Sequence, residues 1–167
     1  KESGEILVKL PSVILGYYEN ENAINEIFED GWLHTGDIGR FDKKGFLHIT
    51  GRVKDMIVLD NGKKIFPHEI ETLLNNSDII TESFVYAKKE NKNLKLGVKL
   101  VYSEDNESLI GKSKDEIFSL LSEEVKKVNN EIPKYKHIQY VTITTTPLIK
   151  TTTQKIKRFE EMKHIDE

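Results

Sequence analysis

The 167-residue sequence contains no cysteine. That absence excludes disulfide bonds, zinc sites built from thiolates and cysteine nucleophiles, and it is typical of proteins kept in a reducing cytoplasm. The apolar runs fall far short of the roughly 20 residues that a membrane-spanning helix needs, and the first residues show no signal-peptide pattern. We therefore expect a cytoplasmic protein without a transmembrane segment, and peripheral attachment to a membrane stays open.

An excess of charge of one sign is also lacking, because 25 basic residues face 28 acidic ones and the formal net charge is −3. Such a balance gives no overall attraction to a polyanion, so no nucleic-acid partner is expected. The stretch 134–163 is locally basic, with seven Lys or Arg and two Glu. It suits either a nucleotide or phosphopantetheine group, or an ordinary solvated surface. No metal site is predicted, because metal-ligand spacing is absent among His34, His48, His68, His137 and His164.

The hydrophobic residues, 37% of the chain, are patterned as short strands mixed with helices. Strands are predicted at 5–10, 38–41, 46–50, 56–59, 79–87, 95–102 and 140–144. Helices are predicted at 21–29, from Pro67 onward, from the capping box of Ser113 and Glu116 onward, and at 155–163. Tight turns such as Asn61-Gly62 join several of the strands. The predicted fold class is therefore α+β, with a short mixed or antiparallel sheet flanked by helices.

Two short stretches carry side chains suited to a nucleotide. Asp37 follows Gly36 in a turn, and its carboxylate can accept two hydrogen bonds from the neighbouring hydroxyls of a ribose. Arg52 lies in a charged junction between two apolar runs, and its planar guanidinium suits phosphate or ribose oxygens. Taken alone, each is more often structural, as a plain turn and a solvent-facing arginine.

The order of the motifs is more specific than any one of them. Thr35-Gly36-Asp37, a hairpin, Gly51-Arg52-Val53-Lys54-Asp55 and an Asn-Gly turn before Pro67 follow one another. This run resembles AMP-forming acyl-CoA synthetases of the adenylate-forming superfamily. Further similar motifs lie towards both ends, at 4–8, 16–18 and 147–156.

The resemblance implies a β-rich end of a large amino-terminal domain over residues 1–53 and a small carboxy-terminal lid domain over residues 54–167, with the hinge at Lys54. It also implies a two-step reaction. A carboxylate and ATP give an acyl-adenylate and pyrophosphate, the lid rotates, and the thiol of CoA then replaces AMP. The long form of the hairpin after residue 56 looks most like that of long-chain fatty acid CoA ligases, so a fatty acid is the expected substrate.

The same resemblance assigns roles to single residues. Lys155 is expected to be the catalytic lysine of adenylation, although the family usually has glycine where this chain has Gln154. Asp37 and Arg52 are expected to hold the ribose of ATP, and Ile49 to make an apolar contact near the nucleotide. CoA is expected to contact the hairpin turn at Gly62, Lys63 and Lys64.

Two motifs of the family do not occur in this sequence: the Ser/Thr/Gly-rich loop that grips the ATP phosphates, and the Tyr-Gly-x-Thr-Glu segment that helps to place Mg²⁺. We therefore interpret the chain, which opens at Lys1 in strand-like residues, as the last third or less of an enzyme and as inactive on its own. Two alternatives stay open. One is an adenylation domain that loads the phosphopantetheine of a carrier protein, and the other is a non-catalytic nucleotide- or protein-binding module.

Overall fold

The chain divides into two units, residues 1–56 and 57–167. The computed structural model describes residues 3–12, 27–90 and 93–165. Both units combine antiparallel pairing with local turns, and the second adds helices on its sheet. The predicted α+β class is confirmed.

A long central strand, β3 (Trp32–Phe41), organises the first unit. It pairs antiparallel with each of three other strands, and two of these are joined to it by tight turns. At the second turn Asp42 accepts hydrogen bonds from the N–H groups of Lys44 and Phe46, which confirms the hairpin predicted there. The strands are β1 (Gly4–Val8), β2 (Phe28–Glu29), β3 (Trp32–Phe41) and β4 (Leu47–Arg52).

The helix predicted at 21–29 is wrong at its end, and residues 21–26 lie outside the described residues. Phe28 and Glu29 form β2 and pair with Leu33 and Trp32 of β3. The turn between them holds Asp30 and Gly31 at φ of 50° and 82°, a left-handed conformation that helix periodicity does not reveal.

The second unit is built on a three-stranded sheet whose strands are, in order, β7 (Glu82–Glu90), β8 (Asn93–Val101) and β9 (Ile138–Thr144). The first pair is antiparallel and the second is parallel. A small hairpin and a helix precede this sheet. The elements are β5 (Ile57–Val58), β6 (Lys64–Ile65), α1 (Pro67–Leu74), β7 (Glu82–Glu90), β8 (Asn93–Val101), α2 (Lys114–Glu131), β9 (Ile138–Thr144) and α3 (Arg158–Glu161). Pro67 opens α1, and Ser113 caps α2 through the predicted capping box with Glu116.

The two faces of this sheet have separate cores. Alternate side chains of one face, such as Val85 and Val98, pack with α1 and α2 in the larger cluster. Side chains of the other face, including Phe84 and Tyr86, pack with Leu148 and Ile165 of the final segment. The segment from 148 to 165 therefore covers a face that would otherwise be open.

The helix predicted at 155–163 begins three residues late, at Arg158, and continues after Glu161 as a 3₁₀ turn, Met162–His164. Lys155 and Ile156 lie outside the helix, because Ile156 pairs with Lys150 in a small hairpin. Within the described residues, no helix is long and apolar enough to cross a membrane.

Candidate functional site

Asp37 and Arg52 lie directly opposite each other on β3 and β4. The Nε atom of Arg52 is 2.9 Å from Oδ1 of Asp37, so the two side chains form an ion pair. Both remain accessible, with 36% of the Asp37 side chain and 54% of the Arg52 side chain exposed. The pair presents carboxylate oxygens and guanidinium donors together to solvent.

A β-bulge brings Ile49 to the same face as this pair. Arg52 pairs with Asp37, whereas Ile49 pairs with Gly39, so residues three apart on β4 face partners two apart on β3. The extra residue shifts the alternation of side chains by one. Ile49 is 62% exposed on that face, while Thr50 is buried. Without the bulge, Ile49 and Arg52 would point to opposite sides of the sheet.

Thr35-Gly36-Asp37, predicted as a turn, is part of strand β3 instead, and Glu5 of β1 holds this stretch in place. Its carboxylate lies 3.0 Å from Nδ1 of His34 and accepts a 3.1 Å hydrogen bond from the N–H of Gly36. Thr35 sits between them, donating to the carbonyl of Ile6 and accepting from the N–H of Asp37. The hydrogen bond with His34, and secondarily that with Gly36, lowers the pKa of Glu5 from its ordinary 4.5. The backbone that carries Asp37 is thus held on both sides of Thr35.

Lys54 lies in a single 3₁₀ turn, Val53–Asp55, between β4 and β5. The Arg52 before the turn and the Met56 after it are both extended. Lys54 is exposed, and none of the buried residues belongs to this turn. The predicted hinge position is therefore a short irregular link between two strands.

The β5–β6 hairpin carries Gly62, Lys63 and Lys64 at its tip and second strand. Gly62 has φ of 75° and donates its N–H to the carbonyl of Leu59, which is the tight turn predicted from Asn61-Gly62. The Nζ atom of Lys63 lies 4.4 Å from the centre of the Tyr135 ring, within the range of a cation–π contact. The tip of this hairpin is exposed.

Lys155 occupies the end of a second hairpin, here called the Lys155 hairpin and defined as residues 148–157. Its strands are linked at Lys150 and Ile156, and the N–H of Thr151 donates to the carbonyl of Lys155 at 2.8 Å. Lys155 is exposed, and its ammonium group has no hydrogen bond or ion pair within the described residues. The positive charge of Lys155 is therefore carried by a hydrogen-bonded hairpin and is accessible to a ligand.

Gln154, beside Lys155, has φ of 63°. This left-handed conformation is disfavoured for residues with a Cβ atom, and glycine adopts it without a steric cost. The glycine that the resemblance places before the lysine would suit this backbone, so the departure in this chain introduces local strain.

The predicted site residues thus fall into two groups. Asp37, Ile49 and Arg52 share one sheet face of the first unit. Lys155 and the three residues predicted to contact CoA lie on two hairpins of the second unit. The geometry adds Glu5, which no spacing rule could connect to a histidine 29 positions away. Among the described residues, no group of three or more His, Asp or Glu is placed to hold a metal ion.

A family model described as "AMP-binding enzyme C-terminal domain" matches residues 54–164. The chain belongs to this family. The AMP-binding family model starts at Lys54 and ends beyond Lys155, so it includes both hairpins.

The relatives of this C-terminal domain include two curated ligases. A long-chain-fatty-acid–CoA ligase of Salmonella typhimurium is 51% identical over 73 residues, which cover 44% of this chain and 13% of the ligase. A 2-succinylbenzoate–CoA ligase of Bacillus cytotoxicus is 42% identical over 87 residues, covering 52% of this chain and 18% of that protein.

A solved structure matches nearly the whole chain. It is the o-succinylbenzoate CoA synthetase of Bacillus subtilis in complex with its acyl-adenylate intermediate, with a TM-score of 0.74 and 29% identity over 95% of this chain. The match covers 30% of that protein. The chain therefore spans less than a third of the length of each of these relatives.

Proposed function

We propose that this chain is the carboxy-terminal part of an ATP-dependent acid–CoA ligase. The enzyme would join a carboxylate to AMP with release of pyrophosphate, and then transfer the acyl group from the adenylate to the thiol of CoA. The observation that carries the proposal is that both curated relatives described above, at 51% and 42% identity, are acid–CoA ligases. The solved relative also holds an acyl-adenylate.

The shared face of Asp37, Arg52 and Ile49 is the proposed nucleotide contact. The carboxylate accepts hydrogen bonds from the two ribose hydroxyls, and the guanidinium of Arg52 holds it in place while donating to nearby oxygens. Ile49 adds an exposed apolar surface beside them. The ion pair orients the acceptor before the nucleotide arrives, which reduces the cost of ordering it on binding.

Lys155 is the proposed catalytic residue of the first step. Charge builds on the α-phosphate as the carboxylate attacks and pyrophosphate leaves, and an ammonium group positioned there stabilises that charge. The exposed and unpaired ammonium of Lys155, within the described residues, suits this role. ATP would carry Mg²⁺, and the described residues offer no ligand cluster for it, so its ligands would belong to another part of the enzyme.

Gly62, Lys63 and Lys64 are the proposed contacts for CoA in the second step. The exposed Gly62 turn leaves its backbone open to a ligand, and the two ammonium groups suit phosphates. Lys54 is the proposed hinge between residues 1–53 and 54–167, where a rotation would exchange the lysine of the first step for the CoA hairpin of the second.

The proposed acid is a long-chain fatty acid, because the relative at 51% identity is a long-chain-fatty-acid–CoA ligase. The experiment is to give the full-length protein ATP, Mg²⁺ and CoA with either a saturated long-chain fatty acid or 2-succinylbenzoate, and to measure AMP and acyl-CoA. We expect both products with the fatty acid and none from residues 1–167 alone.

Three other outcomes would change the assignment. Products with 2-succinylbenzoate only would replace the proposed acid but retain the ligase. AMP release that required a carrier protein instead of CoA would identify a carrier-loading enzyme. Nucleotide binding with no AMP release for any acid would identify a non-catalytic module and contradict the proposal.

A further inference from the structure

The Lys155 hairpin is attached to the rest of the second unit by two carboxylates, which accept hydrogen bonds from the N–H groups of consecutive residues. Oε2 of Glu82 accepts a 3.0 Å hydrogen bond from the N–H of Leu148. Oε2 of Glu161 accepts a 2.9 Å hydrogen bond from the N–H of Ile149. Neither contact forms part of a helix or a sheet, so each carboxylate supplies an acceptor that the backbone lacks at this point.

Each carboxylate is itself held by a lysine. The second oxygen of Glu82 is 2.5 Å from Nζ of Lys150, inside the hairpin. The second oxygen of Glu161 is 2.9 Å from Nζ of Lys99 on β8, and both of these side chains are at least nine-tenths buried. Lys99 also donates to the carbonyl of His164. A buried charge pair of this kind is costly to break, so it fixes the position of Glu161 firmly.

A continuous set of contacts leads from these carboxylates to the lysine. The carbonyl of Ile149 accepts from the N–H of Lys157, Lys150 pairs with Ile156, and the carbonyl of Lys155 accepts from the N–H of Thr151. The base of the hairpin is also buried, because Leu148 and Ile156 pack on Phe84 and Tyr86. Moving the base would therefore move the tip that carries Lys155.

We propose that Glu82 and Glu161 are positioning residues for Lys155. Their hydrogen bonds fix the Lys155 hairpin to the rest of the second unit. The ammonium group of Lys155 therefore reaches the reacting phosphate only when the whole second unit is correctly placed. This inference rests on the function proposed above. Under this inference the lysine is fixed to the second unit and moves with it. Misplacing a reactive group by about 1 Å costs on the order of 100-fold in rate.

Glu82 is the better residue to test, because its side chain is 18% exposed and its loss leaves Lys150, itself 25% exposed, within reach of water. Removing Glu161 would leave the buried Lys99 uncompensated and would threaten folding. Glu90 is the matched control. It lies at the other end of the same strand, pairs with Lys95 and accepts from Tyr140, but it does not contact the hairpin through any of these bonds.

The experiment compares Glu82→Ala, Glu82→Gln, Glu90→Ala and Lys155→Ala in the full-length enzyme. Acyl-adenylate formation, thioester formation from pre-made acyl-adenylate, and the thermal unfolding midpoint are measured for each. We expect Glu82→Ala to slow adenylation by about 10-fold to 100-fold and to leave thioester formation unchanged. Glu82→Gln retains an acceptor for the Leu148 N–H and should recover part of the loss. Glu90→Ala should leave both steps unchanged.

The results separate this inference from the proposed function. If Lys155→Ala slowed adenylation and Glu82→Ala did not, the positioning role would be wrong and the catalytic lysine would stand. If Glu82→Ala slowed both steps equally while lowering the unfolding midpoint, its role would be structural support only. If Lys155→Ala left adenylation unchanged, the proposed function and the positioning role would both be contradicted.

Discussion

Asp37 and Arg52 meet across two antiparallel strands, with Nε of Arg52 2.9 Å from Oδ1 of Asp37 on an exposed face. An exposed ion pair contributes little to folding, typically about 0–1 kcal/mol. We therefore expect the pair to affect the proposed nucleotide binding more than the stability of the fold. The same face carries Ile49 because of the bulge in β4, which joins a polar pair to an apolar surface.

Replacing Asp37 should weaken nucleotide binding selectively. A hydrogen bond to a charged group contributes about 1.5–3 kcal/mol, so the loss of even one of the two proposed ribose contacts in Asp37→Ala should raise the KM for ATP by roughly 10-fold to 150-fold. The control is Glu124→Ala, which removes another exposed ion pair, with Lys127 on α2. Steady-state kinetics with varied ATP measures the effect. An unchanged KM for ATP in Asp37→Ala would show that this carboxylate has no nucleotide role.

The contact of Glu5 with His34 should appear in the pH dependence of stability. The pKa of Glu5 is lowered chiefly by its hydrogen bond with His34, so the carboxylate stabilises the fold above its ordinary pKa of 4.5. That stabilisation is lost as the pH falls through the lower value of the folded state. Glu5→Gln should therefore lose less stability than the wild type between about pH 6 and about pH 3.

The control for this pH effect is Glu29→Gln. Glu29 lies 3.7 Å from the other ring nitrogen of His34, and its side chain is 79% exposed. Chemical unfolding at a series of pH values gives the free energy of unfolding for the wild type and both variants. Parallel curves for the wild type and Glu5→Gln would contradict the proposed linkage, and Glu29→Gln should follow the wild type.

Gln154 should be a site where glycine stabilises the protein. Its φ of 63° costs a residue with a Cβ atom about 1 kcal/mol, and Gln154→Gly removes that cost. Glycine also makes the unfolded chain more flexible, which offsets part of the gain in stability. We expect a net gain of about 0.5 kcal/mol in the free energy of unfolding. Gln154→Ala keeps the Cβ atom and should give no gain. Equal stability of the glycine and alanine variants would show that the conformation is not strained.

The hinge proposal predicts a bias between the two steps. Proline fixes φ at position 54 and disfavours a helical conformation for Val53, so Lys54→Pro restricts the turn that joins β4 to β5. We expect slower thioester formation with adenylation largely retained, as measured in separate half-reactions. Lys54→Ala leaves the backbone free and should retain both steps. If Lys54→Pro had no effect on thioester formation, rotation at this residue would not be needed.

Local chemistry predicted much of this fold. The Asn61-Gly62 turn, the proline at the start of α1 and the capping box of Ser113 each act within a few residues, and each was confirmed. The last helix was placed too early, because basic residues at 155–158 suit a helix locally while the pairing of Lys150 with Ile156 does not. Tertiary contact overrode propensity at that point.

The candidate site was less accessible to sequence reasoning. A motif can indicate Asp37 and Arg52, but their pairing across β3 and β4 depends on a bulge that no residue pattern predicts. The carboxylates of Glu5, Glu82 and Glu161 bind groups that are 29, 66 and 12 residues away in the sequence. Contacts over such separations are set by the fold as a whole, so they could be found only in the structure.

Separate assays of the two half-reactions in Lys155→Ala decide whether Lys155 acts in adenylation alone. Losing an electrostatic contact made in the transition state typically costs about 10²–10³ in rate, so adenylate formation should slow by that order. Conversion of pre-made acyl-adenylate by CoA should stay close to the wild-type rate, because the proposed role of the lysine is confined to the first step. Lys157→Ala removes a neighbouring exposed ammonium group and should leave both rates unchanged. Equal slowing of the two steps in Lys155→Ala would contradict a role of this lysine in adenylation alone.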